Sequence, residues 1–72
     1  MTPKQLETAG EAIYGPSWRT PLCADLGITM RTLQRWMGGD FNIDPAVPDR
    51  LRNICLKRSA KLAAQAEKLA VL

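Results

Sequence analysis

Apolar residues recur along most of the chain at the spacing of an α-helix, about 3.6 residues per turn, in segments separated by glycine and proline. In the first segment Thr2 is the predicted N-cap, Pro3 takes the first helical position, and Gly15 with Pro16 ends the helix. The apolar face of this segment consists of Leu6, Ala9, Ile13 and Tyr14. No segment alternates apolar and polar residues as a half-buried strand does. The pattern therefore predicts one all-α domain of about four helices over residues 1–72.

Two short helices joined by a tight turn are predicted over residues 17–38. Ser17 is the predicted cap of the second helix, which runs to about Leu26. Cys23 is small at the position where the following helix would cross it, and Gly27 stands where the chain needs a positive φ. The spacing of these two residues is typical of a helix-turn-helix.

The third helix is predicted to begin after Thr29, which caps it, and to end at Gly38–Gly39. Ile28 in the turn points into the core, and Leu33 and Trp36, one turn apart, anchor the helix to the rest of the domain.

A loop over residues 40–47 is predicted to bury Phe41 and Ile43, and Pro48 is predicted to open a last helix that ends near residue 70. The first half of that helix carries its predicted core residues on one side: Leu51, Ile54 and Cys55.

The second half of the last helix continues an apolar stripe through Leu62, Ala66 and Leu69. This stripe could fold back on the first helix or pack against a second copy of the chain. A core of this size rarely supplies more than roughly 3–5 kcal/mol, and the stripe is longer than a three-helix core could cover. These points favour a homodimer. The basic residues of this helix are expected mostly on a solvated face: Arg50, Arg52, Lys57, Arg58, Lys61 and Lys68.

Composition limits the possible functions. The chain has 72 residues, a net charge of +3, no histidine and two cysteines, Cys23 and Cys55. Both cysteines are predicted to be small core residues in a reducing compartment, and neither pairs with a second ligand at zinc spacing. No nucleophile-base pair or phosphate-binding glycine loop is present, so we expect no enzyme, no metal, no cofactor and no small-molecule substrate. No apolar run is long enough to cross a membrane and no signal peptide is evident, which predicts a soluble cytoplasmic protein.

The predicted outward face of the third helix is the strongest indication of function. It consists of Thr29, Met30, Arg31, Gln34 and Arg35, and no acidic residue occurs between Thr29 and Gly39. A merely solvated helix usually mixes acidic and basic residues. Arginine pairs with the O6 and N7 atoms of guanine and glutamine with adenine, whereas methionine could touch a thymine methyl group or simply cover the surroundings of Trp36. We therefore predict that these five residues contact bases of double-stranded DNA, although one or both arginines could instead bind phosphates.

The start of the second helix is the predicted phosphate site. Free backbone N–H groups and the helix dipole favour an anion there. The predicted contacts are Ser17, Trp18, Arg19 and Thr20, and Trp18 is expected to be a core or boundary residue that also touches the DNA backbone.

The run from Trp18 to Trp36 resembles the helix-turn-helix of lambda-repressor-like and Cro-like proteins. It is similar in particular to small phage and prophage regulators that carry an LG(I/V)(S/T)xRT(L/V)xRW signature followed by glycine. The resemblance implies a compact helical DNA-binding domain, dimeric binding to an inverted repeat and transcriptional regulation. Pro21, early in the second helix, departs from the pattern, as does the single long helix that replaces the last helices of the family's fuller, five-helix versions.

The leading interpretation is a sequence-specific transcriptional regulator, in particular a repressor that occupies a promoter as a dimer. One alternative is an architectural, recombination or packaging accessory protein that uses the same helix-turn-helix on DNA. Another is a helical module that binds only other proteins.

Overall fold

The computed structural model describes residues 1–71 and contains four α-helices: α1 (Pro3–Tyr14), α2 (Arg19–Leu26), α3 (Met30–Met37) and α4 (Val47–Ala70). No strand occurs within this range. The predicted all-α fold with a long last helix is confirmed.

Helix α1 begins with a reciprocal capping arrangement. The Gln5 backbone N–H donates to Thr2 Oγ1 at 3.1 Å, and the Thr2 N–H donates to Gln5 Oε1 at 2.9 Å, so both free donors are satisfied. The helix ends at Gly15, whose φ of 85° only glycine adopts readily and whose N–H donates to the Glu11 carbonyl oxygen at 2.8 Å. Both predicted ends of α1 are confirmed.

The three short helices α1, α2 and α3 pack against one another around one core. Its buried residues are Leu6, Trp18, Leu22, Cys23, Leu26, Leu33, Trp36, Ile43, Val47 and Leu51. The predicted core positions Cys23, Leu33 and Trp36 are confirmed, and Ile28 packs against the cluster as expected.

Helix α4 belongs to the core only at its beginning. Val47 and Leu51 are buried and Ile54 is half-buried, but every residue from Cys55 to Ala70 is exposed. The helix therefore projects from the domain, and the molecule measures 50 × 21 × 20 Å. The apolar stripe of Leu62, Ala66 and Leu69 is exposed and does not fold back on α1, so the first of the two alternatives for this stripe is wrong.

Three local predictions were wrong. Ser17 does not cap α2, because the N-cap is Trp18 and no side chain accepts a hydrogen bond from the first turn. Ser17 lies in the preceding turn, since burial of the Trp18 ring sets where the helix begins. Phe41 is 55% exposed because the turn after α3 directs Ile43 into the core instead. Cys55 is exposed because α4 has left the core by that point.

Within residues 1–71, no helix combines the length and the hydropathy that crossing a membrane would require.

Candidate functional site

The exposed face of α3 contains all five residues predicted to contact bases. Thr29, Met30, Arg31, Gln34 and Arg35 are exposed, whereas Leu33 and Trp36 on the opposite face are buried. Arg31 and Arg35 are four residues apart, so they lie about one turn apart on the same side of the helix. The structure thus presents two guanidinium groups and one carboxamide on a single short helix.

The turn between α2 and α3 sets the position of that face. Gly27 adopts the left-handed conformation with φ of 69°, and the Ile28 N–H donates to the Cys23 carbonyl oxygen at 3.0 Å, which closes the end of α2. Thr29 caps α3, because its Oγ1 accepts from the Thr32 N–H at 3.2 Å. The Thr29 hydroxyl thus already takes part in a hydrogen bond within the helix. Only its remaining hydrogen-bonding capacity is available to a partner.

Cys23 lies at the contact between the two helices. Its Sγ atom is 3.9 Å from the Thr29 carbonyl oxygen, and the side chain is buried. Burial raises the pKa of the thiol, which keeps it neutral and unreactive. Cys23 therefore serves packing, as predicted.

Among residues 1–71, no carboxylate forms an ion pair with the arginines of α3. In the part of the chain that the structure describes, the one ion pair joins Lys4 to Glu7, at 4.0 Å. Arg31 and Arg35 consequently keep their N–H donors available for an external partner.

The beginning of α2 is the second exposed polar region. Ser17, Arg19 and Thr20 are exposed, and no side chain caps the first turn. Pro21 is the third residue of α2, where its missing N–H breaks no helical hydrogen bond. The backbone N–H groups of this turn therefore have no partner within the helix.

Trp18, the fourth predicted phosphate contact, is a core residue with only 3% of its surface exposed. Its ring packs on Gly10 of α1: a Cβ atom placed on Gly10 would lie 2.4 Å from Trp18 Cε3. Only glycine leaves room for this ring. The contact fixes the start of α2 relative to α1.

Two arginines of these regions stack on aromatic rings. The Arg19 Cζ atom lies 5.1 Å from the centre of the Trp18 ring, and the Arg35 Cζ atom lies 5.3 Å from the centre of the Phe41 ring. Both distances are within the range of cation–π interactions.

A separate cluster attaches α4 to α1 and α2. The Tyr14 hydroxyl donates to Asp25 Oδ2 at 2.6 Å, Arg58 Cζ lies 4.6 Å from the centre of the Tyr14 ring, and Arg58 Nη1 donates to the Ile13 carbonyl oxygen at 3.5 Å. Partial burial, followed by the hydrogen bond to the Asp25 carboxylate, raises the pKa of Tyr14 well above its usual value. Arg58, expected on a solvated face, thus has a structural role as the last anchor of α4.

The predicted dimerisation residues lie on the projecting part of α4. Leu62 is 71% exposed, Leu69 is 57% exposed and Ala66 is exposed. Leu51, Leu62 and Leu69 share one face, because they are separated by about three and about two turns. A shallow groove runs beside this face, lined by Ala12, Ile13, Cys55, Arg58, Ser59, Leu62 and Ala63. The face of α4 that packs in the core at Leu51 therefore continues along the helix past the core, where nothing in the described chain covers it.

Sequence reasoning missed the roles of residues that depend on contacts between different elements of the fold: Gly10, Asp25, Arg58 and Phe41. A glycine inside an amphipathic helix was the one available signal, because such a residue often marks a close approach.

Comparisons of the chain with protein-family models, with curated protein sequences and with solved structures gave no match.

Proposed function

We propose that this protein is a sequence-specific regulator of transcription, in particular a repressor, that binds double-stranded DNA by placing α3 in the major groove. The observation that carries the proposal is the acid-free exposed face of α3, with Arg31, Gln34 and Arg35 unpaired by any carboxylate in the described residues. An α-helix with its side chains is about 10–12 Å in diameter, which fits a major groove about 12 Å wide.

Each residue of the face has a proposed role that follows from its chemistry. Arg31 and Arg35 pair with guanine or hold a phosphate, and Gln34 pairs with adenine. Met30 contacts a thymine methyl group, and Thr29, at the start of α3, donates a hydrogen bond from its hydroxyl group to a base.

The start of α2 would bind the DNA backbone. Arg19, Thr20 and Ser17 are exposed next to backbone N–H groups that have no helical acceptor. Trp18 would contribute through its backbone N–H rather than its ring, because the ring is buried. Two free cysteines suit a reducing cytoplasm, where such a regulator would act.

The proposal includes a homodimer formed through α4. The uncovered face around Leu62, Ala66 and Leu69 and the adjoining groove support it, since a helix that projects from its domain gains stability when it is covered. Two copies of α3 related by a two-fold axis would read an inverted repeat with half-sites about 34 Å apart, or a whole multiple of that distance.

Binding to DNA selected from a random pool of duplexes tests the DNA proposal. We expect Arg35→Ala to weaken binding to the selected duplex by about 1–3 kcal/mol and to relax specificity at one base pair. Lys68→Ala removes the same charge far along α4 and is the matched control, with little expected effect. An equal loss on selected and random DNA would reduce Arg35 to a phosphate contact. Undiminished binding by the Arg31→Ala, Arg35→Ala double variant would contradict the proposal.

Sedimentation tests the dimer with a second matched pair of variants. Ala66 lies on the uncovered face, whereas Ala64 lies on the opposite side of the same helix. We expect Ala66→Lys to give a monomer at tens of micromolar while Ala64→Lys stays dimeric. A monomeric wild-type protein at this concentration would contradict the dimer and leave the DNA proposal standing.

A further inference from the structure

The aromatic ring of Phe41 lies on the surface beside the exposed face of α3. It is 55% exposed, and its centre is 5.3 Å from Arg35 Cζ. A large apolar side chain gains little by standing in water, so its contact with Arg35 calls for an explanation.

The end of α3 places the ring there through backbone hydrogen bonds. The Gly38 N–H donates to the Gln34 carbonyl oxygen at 2.9 Å, and the Asp40 N–H donates to the Arg35 carbonyl oxygen at 3.0 Å. Gly39 has a φ of 79°, which reverses the chain immediately after the helix. The residue that follows Asp40 is thereby brought back beside Arg35.

Stacking on a ring leaves the N–H donors of an arginine available for other partners, whereas an ion pair occupies them. A carboxylate would occupy the N–H donors of the guanidinium group, whereas a ring covers one planar face and leaves the N–H edge open. Holding the long arginine side chain in place before binding also removes part of the conformational entropy that binding would otherwise cost.

We propose that Phe41 is a positioning residue for DNA recognition, holding the Arg35 guanidinium group with its N–H edge directed at the DNA. This inference rests on the proposed function, because it assigns Phe41 a role in the site that Arg35 would form.

A double-mutant cycle tests the proposal on the duplex that the wild-type protein selects from a random pool, at fixed salt, with a random-sequence duplex in parallel. An exposed cation–π contact changes an equilibrium by about two- to fivefold. We expect Phe41→Ala to weaken binding to the selected duplex by about that factor and to leave binding to random DNA unchanged. We expect Phe41→Ala to have no further effect when Arg35 is already alanine.

Three further variants separate positioning from packing. Phe41→Tyr keeps the ring and should bind like the wild type, whereas Phe41→Leu keeps apolar volume without a ring and should bind like Phe41→Ala. Leu56→Ala removes another exposed apolar side chain, 60% exposed and on α4, and should not affect DNA binding. Thermal unfolding of each variant shows whether the fold is intact, and we expect similar midpoints.

The outcomes distinguish this inference from the proposed function. If Arg35→Ala weakens selective binding but Phe41→Ala does not, the inference is wrong and the proposed function stands. An equal loss from Phe41→Ala in the wild-type and Arg35→Ala backgrounds would also overturn it, because Phe41 would then act independently of Arg35. If the wild-type protein selects no sequence at all, both fail.

Discussion

The contact between Gly10 and Trp18 makes a prediction that opposes helix propensity. Replacing a glycine inside a helix with alanine usually stabilises the helix by about 1 kcal/mol. At Gly10, however, the new Cβ atom would lie 2.4 Å from Trp18 Cε3, and ordinary contact begins near 3.4 Å, so the ring would have to retreat by about 1 Å. Trp18 is 3% exposed, which leaves it little free space to move into.

Overpacking of this kind costs about 1–3 kcal/mol, which outweighs the gain in propensity. We therefore expect Gly10→Ala to destabilise the protein by about 1 kcal/mol and to lower its unfolding midpoint by about 4–8 °C. Thermal unfolding followed by far-ultraviolet circular dichroism measures this change. Ala12→Gly, at an exposed position of the same helix, calibrates the propensity term and should cost about 1 kcal/mol.

A double variant identifies the cause. In a Trp18→Leu background the ring is absent, so Gly10→Ala should become neutral or stabilising. A rise in the unfolding midpoint on Gly10→Ala in the wild-type background would refute the argument, and so would equal destabilisation in both backgrounds.

Three further predictions concern packing, pH and the projecting helix. Cys23→Leu should overpack the contact between α2 and α3 and cost about 1–3 kcal/mol in urea unfolding, with Cys23→Ala milder; a freely reactive Cys23 thiol in the folded protein would contradict this. Tyr14→Phe should cost about 0.5–1.5 kcal/mol at neutral pH by removing the hydrogen bond to Asp25. Because folding raises the pKa of Tyr14, this contribution is present below about pH 10 and is lost as the pH rises further, so the stabilities of the wild type and Tyr14→Phe should converge in alkaline urea titrations. Removal of residues 60–72, which carry the exposed stripe of the proposed dimer, should weaken binding to an inverted repeat much more than binding to a single half-site.

Local patterns were sufficient to predict the two short helices α2 and α3 and the turn between them. The position of Gly27 between Cys23 and Leu33 follows from backbone conformation and helical spacing, which act over a few residues and can be read directly along the chain. The exposed face of α3 follows in the same way, since burial of Leu33 and Trp36 leaves Arg31 and Arg35 on the other side. Its role in binding DNA stays a prediction.

The tertiary structure decided which side chains from different elements of the fold come into contact. Hydrophobicity alone could not show that Ile43 rather than Phe41 is buried, because both are apolar residues of one loop and the turn at Gly39 directs them differently. The same limit applies to Gly10, whose small size matters only because the Trp18 ring arrives from another helix. Periodicity predicts which face of a helix is apolar, but only packing against other elements determines where along its length that face ceases to be covered, as in α4 after Ile54.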